Sequence, residues 1–272
     1  MSISAKLKTL GNALASDPAW VIRRITGHFK PPLFSYQMGK VGSSSIKHTI
    51  EERYRVFHCH TQREFDINLG IVNKRDPSGM IDLITATRDP IGREISAFFQ
   101  NITAMHHGYG VGAREEVLKM DVGELIRIFR ERWANHPRLP DTTVWFDRAF
   151  LPATGIDIYD HAFDRERGWT IFRQGRWRVL VTRFEDIDRN YLEAINAYLG
   201  ERFGPDAVCA ELRTANLSDK KWYSELMREF KSRITFTPGE IEELYSSQYC
   251  AHFYTPAETE TMKSKWKIKE RS

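Results

Sequence analysis

The chain has 272 residues, a formal net charge of +4, 41% hydrophobic and 28% charged residues. That length allows one large domain with a substantial core, and the composition is that of an ordinary globular protein. The mild basic charge suits an anionic ligand and argues against wholesale nucleic-acid binding. Cys59, Cys209 and Cys250 form no zinc or disulfide pattern, which points to a reducing compartment. No run of about 18 apolar residues offers a membrane span, and the arginines in "WVIRRI" break any signal-peptide core. A cytoplasmic location is expected, without integral membrane contact; peripheral association with the inner membrane face stays open.

Residues 1–32 read as a partly basic helical lead-in that ends at Pro31-Pro32. Residues 33–38 predict a strand, 43–53 a helix, 54–60 a second strand and 80–89 a third, buried one. A helix follows over 91–102, then a loop or insertion over 103–122. Leu125, Ile126, Ile128, Phe129 and Trp133 recur at helical spacing. "WTIFRQGRWRVLVTRFEDI" predicts a hairpin turning at Gln174-Gly175. "YLEAINAYL" and "WYSELMREFKSRI" predict amphipathic helices, and Pro238 opens another. Strands alternating with helices predict an α/β fold, a central parallel sheet flanked by helices in three layers. One domain is expected over 33–260, with 103–170 as an insertion and candidate acceptor region and 261–272 as a basic, solvated tail.

"FSYQMGKVGSSSIKHTI" places a strand, a glycine-bearing turn and a helix in succession from Phe34. A helix N-terminus offers unpaired N–H groups and a positive dipole end. Gly39 and Gly42 let the backbone approach an anion, Lys40 adds charge, and Ser43, Ser44 and Ser45 add hydroxyls. The turn is not a Walker A loop: Phe34 stands where the first glycine belongs and Val41 where Ser or Thr would hold magnesium. "TATRDPIGREISAFFQ" adds Arg88 at the end of the third predicted strand and Ser96 on the following helix. Arginine presents a planar fork to phosphate oxygens, and serine adds a donor.

These two stretches resemble PAPS-dependent sulfotransferases (PAPS is 3′-phosphoadenosine-5′-phosphosulfate). Lys40, Val41, Gly42, Ser43, Ser44 and Ser45 are similar to the turn that binds the 5′-phosphosulfate. Arg88, Asp89, Pro90, Arg93, Ser96 and Phe98 fit the 3′-phosphate pattern R-D-P-x-x-R-x-x-S-x-[FY]. The resemblance implies a P-loop-like sulfotransferase fold, PAPS as cofactor and PAP (adenosine 3′,5′-bisphosphate) as product, and no required metal.

"VFHCH" closes the second predicted strand with His58 and His60 on one face. The pair suits general-base work near neutral pH, chelation as an H-x-H pair, or a plain strand end. By resemblance to uronyl 2-O-sulfotransferases, His60 is the base and His58 its partner; Glu64 is the alternative. "KKWYS" (220–224) resembles the signature of the NKWYS family, associated with capsular polysaccharide synthesis and similar to bacterial sulfotransferases, with Lys220 in place of its asparagine. The likeness extends over about 33–235, through "WFDRAFLPATGIDIYDHAFDRERGW" and "VTRFEDI"; Ala149 stands where the family has glutamate and receives no role. By the same resemblance Lys220 and Lys221 are expected at the cofactor, and the acceptor is a carbohydrate, polysaccharide or glycolipid. Arg183 is a further candidate at the ligand edge, against a structural pair with Glu185 or Asp186. The aromatics Trp133, Trp145, Phe146, Tyr159, Phe163 and Trp169 suit a core or a sugar-stacking wall. Two rival functions remain: an ATP/Mg²⁺ phosphotransferase of kinase type, and a non-catalytic glycan-binding or assembly protein.

Overall fold

The computed structural model describes residues 30–104, 110–135, 142–212 and 221–267. Five strands form one sheet: β1 Pro32–Tyr36, β2 Arg55–Cys59, β3 Ile81–Thr87, β4 Trp169–Gln174 and β5 Trp177–Arg183, in the order β2-β1-β3-β5-β4. The main helices are α1 Ser43–Ile50, α2 Gln62–Asn73, α3 Pro90–Gln100, α4 Val122–Asn135, α5 Tyr191–Phe203, α6 Ser224–Arg233, α7 Pro238–Tyr245, α8 Gln248–Phe253 and α9 Pro256–Trp266. β1 pairs in parallel with β2 and β3, and β3 with β5, whereas β4 is antiparallel to β5. The expected parallel sheet is therefore mixed. Only Gly175 and Arg176 join β4 to β5, and so short a link requires antiparallel neighbours.

Right-handed crossovers decide which face each helix covers. The chain moves from β1 to β2 through α1, then back past β1 to β3 through α2. The opposite directions put the two helices on opposite faces. Leu33, Ile84 and Leu180 pack with Ile46 and Ile50 of α1 and Ile195 and Leu199 of α5. Phe34, Leu83 and Val179 face the other way, into a larger core with Phe65 of α2, Ile95 of α3, Phe129 of α4 and Phe230 of α6. On the α1–α5 side Asp82 and Arg178 stand opposite one another across β3 and β5, fully buried and 2.7 Å apart. Arg178 also donates to the Tyr198 carbonyl at 2.7 Å and the Tyr54 hydroxyl at 3.0 Å.

The sequence reading did not name α2, α8 or α9. α2 carries a capping box between Thr61 and Glu64, and α9 one between Thr255 and Glu258 with proline at its start. The expected tail at 261–272 therefore begins inside α9, and Trp266 is buried. The aromatics at 133–169 pack into the two cores, Trp145, Phe146 and Trp169 fully so and Trp133, Tyr159 and Phe163 in part. Among the described residues no helix is long and apolar enough to cross a membrane.

The sheet order also fixes where a ligand fits. β2 and β3 flank β1 on opposite sides, so connections leave the carboxyl ends of β1 and β3 in different directions. Open α/β sheets have a crevice at such a switch point. The turn after β1 and Arg88 after β3 meet there.

Candidate anion-binding site

The turn after β1 is built from left-handed backbone. Gly39, Lys40 and Gly42 have φ of +77°, +63° and +83°, and Lys40 is the non-glycine residue with positive φ among those described. Such a conformation costs roughly 1–3 kcal/mol and persists only where surroundings enforce it. Three donors do so. Arg93 donates to the Met38 carbonyl at 2.5 Å, Arg88 to the Lys40 carbonyl at 2.6 Å, and the Tyr191 hydroxyl to the Val41 carbonyl at 3.2 Å. Gly42 caps α1, and a Cβ there would lie 3.0 Å from Ile187 Cδ1 and 3.3 Å from Phe184. The Val41 side chain is buried in the core, so only its backbone serves the turn. The Ser45 N–H donates to the Gly42 carbonyl at 3.1 Å, which removes it from the expected cradle.

One cleft of about 1360 Å³ is lined by Lys40, Gly42, Ser43, Ser44, Ser45, His58, His60, Arg88, Ser96 and Lys221. Residues selected from four separate stretches thus meet in one place. Lys40 and Lys221 both donate to Oε1 of Gln100, at 3.1 and 2.7 Å, and the Tyr223 hydroxyl approaches the same oxygen at 3.5 Å. Burial, then the charges of Lys221 and Arg88, lower the Lys40 pKa to about 8. Two cations share a neutral acceptor, the arrangement an incoming anion relieves.

Arg88 is held as closely as the turn. Its guanidinium lies 4.0 Å over the Phe184 ring. The Tyr249 hydroxyl accepts from its N–H at 2.8 Å and donates to its carbonyl at 2.9 Å. Burial pushes its pKa below the ordinary arginine value. The neighbouring Asp89 carboxylate accepts from the Tyr245 hydroxyl at 2.5 Å and the Trp266 indole at 3.1 Å, so α7 and α9 brace the Arg88 turn. The Asp89 N–H donates to Glu185, whose carboxyl, open to the cleft but otherwise enclosed, is raised above its usual range. Ser96 lines the cleft from α3, while Phe98 of the same motif is core.

The histidine rings of His58 and His60 stand edge to face, 4.5 Å apart. His60 Nδ1 lies 3.2 Å from the Gln37 carbonyl. A carbonyl only accepts, so Nδ1 carries the proton and Nε2 of the neutral ring is left with its lone pair. Burial, then the neighbouring His60, lowers His58 to about 4, which keeps it neutral. Glu64 does not reach the cleft as a base. Its carboxylate accepts from the N–H groups of His60 at 2.8 Å and Thr61 at 3.1 Å, and the first of these bonds lowers its pKa. Among the described residues no His, Cys, Asp or Glu completes a three-ligand group with the two histidines.

Other expectations change. Lys220, expected at the cofactor, lies outside the described residues. No described residue of 103–170 lines the cleft, and the buried apolar ones join the larger core, Trp169 the other one. Arg183 is buried against Asp186 at 2.6 Å and Glu258 at 2.7 Å, which makes it structural. Gln100, Tyr249 and Glu185 were missed, because each acts through partners remote in sequence.

The NKWYS family model, described as "Putative capsular polysaccharide synthesis protein", matches residues 117–255. The matched range includes Lys221, Trp222, Tyr223 and Ser224; the turn at 39–45 and Arg88 lie before it, so the match is narrower than the expected 33–235. No curated protein and no solved structure matches the chain.

Proposed function

The chain belongs to the NKWYS family, and from that premise we propose that it is a PAPS-dependent sulfotransferase of P-loop-like fold, acting on a hydroxyl of a carbohydrate, polysaccharide or glycolipid. One observation carries the reading: Lys40 and Lys221 converge on Gln100 in the same cleft that holds Arg88 and Ser96. A ligand with two separated phosphate groups fits such a donor set. The left-handed turn and its serines suit the 5′-phosphate, and Arg88 with Ser96 suits the 3′-phosphate that distinguishes PAPS from ATP.

When bound, PAPS would supply an activated sulfuryl group with a phosphate as the leaving group. The chain's own groups then have separable tasks. Lys40 and Lys221 bring positive charge to the side where negative charge builds. His60, its Nδ1–H held by the Gln37 carbonyl, accepts the acceptor's proton on Nε2. His58, neutral, packs against the His60 ring and limits its rotation.

The test is a thermal-shift titration with adenosine 3′,5′-bisphosphate, without metal, beside ATP with Mg²⁺. At 100 times its dissociation constant the bisphosphate should stabilise the fold by about 2.7 kcal/mol. A shift with ATP and Mg²⁺ alone overturns the reading in favour of a phosphotransferase. No shift with either ligand favours a non-catalytic glycan-binding protein.

A further inference from the structure

The cleft, about 1360 Å³, exceeds the roughly 300–1,000 Å³ of ordinary small-molecule sites. Beyond the two anion motifs one part of its wall comes from Phe184, Ile187, Leu212 and the carboxylates of Glu185 and Asp188, and another part from one face each of α6 and α9. Met227 and Lys231 stand one helical turn apart on α6, Thr261 and Lys265 likewise on α9, with Met262 beside them and Tyr254 also lining the cleft. On α6 the lining continues back to Tyr223, so this wall runs about 12 Å along the helix. Met227 and Tyr254 are buried behind the wall, so its open apolar surface is Met262, with an ammonium group from each helix. The acidic member on α9, Glu258, is already engaged by Arg183 at 2.7 Å and by the Thr255 cap. Lys263, one position from Met262, pairs with Glu242 and Glu260. The cleft-lining cation of α9 is Lys265, which lies 4.7 Å from the Trp266 ring.

We propose that this trough binds an acidic oligosaccharide chain, its carboxylates on Lys231 and Lys265 and the apolar face of a sugar ring on the half-buried Met262. The inference names the acceptor class for the sulfotransferase reading and rests on that reading for its role in the reaction; the binding itself can be tested alone. Lysine stems lie well on apolar surface while their heads reach charge, and the carbohydrate link of the matched family favours a saccharide over other polyanions.

The experiment titrates the full chain calorimetrically with hexagalacturonate, neutral maltohexaose and the oligonucleotide dT6. The same titrations are run on Lys231→Gln/Lys265→Gln and on Lys231→Arg/Lys265→Arg. Hexagalacturonate should bind at least tenfold tighter than maltohexaose. That affinity should fall about tenfold or more in the glutamine variant, weaken with salt, and survive in the arginine variant; unfolding temperatures check that both variants fold. Equal affinity for the charged and neutral hexamers, or no loss in the folded glutamine variant, overturns the proposal. Lysine-dependent binding of dT6 as tight as hexagalacturonate overturns the saccharide assignment. Adenosine 3′,5′-bisphosphate, titrated in parallel on the unaltered chain, separates the two ideas. If it fails to bind while lysine-dependent hexagalacturonate binding holds, the sulfotransferase reading falls and the trough stands.

Discussion

Lys40 and Lys221, from opposite halves of the chain, hold the same oxygen of Gln100. Their mutual repulsion adds to burial in bringing Lys40 to about 8. A bound dianion favours the charged ammonium, so above that pH the complex must take up a proton that free Lys40 has lost. Affinity for adenosine 3′,5′-bisphosphate should therefore be flat below pH 8 and fall by up to about tenfold per pH unit above it. Isothermal titration from pH 6.5 to 9 measures this. Lys40→Arg, charged throughout, should remove the decline; a decline that persists in the variant assigns the titration elsewhere.

Catalysis and cofactor binding should separate by residue. Lys40→Ala is expected to cut kcat about 10²–10³-fold and His60→Ala about 10²–10⁴-fold. Arg88→Ala should weaken bisphosphate binding by roughly 1.5–3 kcal/mol, the scale of charged hydrogen bonds. Steady-state kinetics with direct ligand titration resolve the two classes. Full turnover in both the Lys40 and His60 variants would sink the mechanism.

The buried Asp82–Arg178 pair predicts a stability effect remote from the cleft. Asp82→Ala leaves a guanidinium in the core and should cost about 3–5 kcal/mol in denaturant unfolding. Replacing both residues by apolar ones of similar size should recover most of that loss. A single variant of unchanged stability would show that the buried charge on Arg178 needs no partner.

Gly42→Ala tests the turn. The positive φ and the 3.0 Å approach of Ile187 Cδ1 leave no relaxed place for a methyl group. A loss of about 1–3 kcal/mol is expected, with weaker bisphosphate binding measured beside it. Unaltered binding would remove the turn from the site.

Much of this site was legible because its parts are local. A strand, a glycine turn and a helix are contiguous from Phe34, and Arg88 follows a strand whose seven residues are all buried. What escaped depends on chain remote in sequence. Gln100 becomes a shared acceptor only after α3 meets both Lys40 and Lys221. Asp89 looks like part of a phosphate motif, yet its oxygens serve Tyr245 and Trp266. Glu64 was an alternative base by resemblance to sulfotransferases that use glutamate; its place three residues after Thr61 marks it as a capping residue. The same spacing at Thr255 and Glu258 announced α9, but the lysines beyond drew the eye to a tail. Hydrophobic periodicity missed α2 because only Phe65 and Val72 of it are buried.

The Asp89–Trp266 hydrogen bond gives the far end of the chain a stake in ligand recognition. Trimming the protein back through α9 would remove the indole that helps hold the turn carrying Arg88, and with it Glu258, the partner of Arg183 at the end of β5. Shortened forms should then bind phosphate poorly and lose stability together, so the last helix ties ligand recognition to the integrity of the fold.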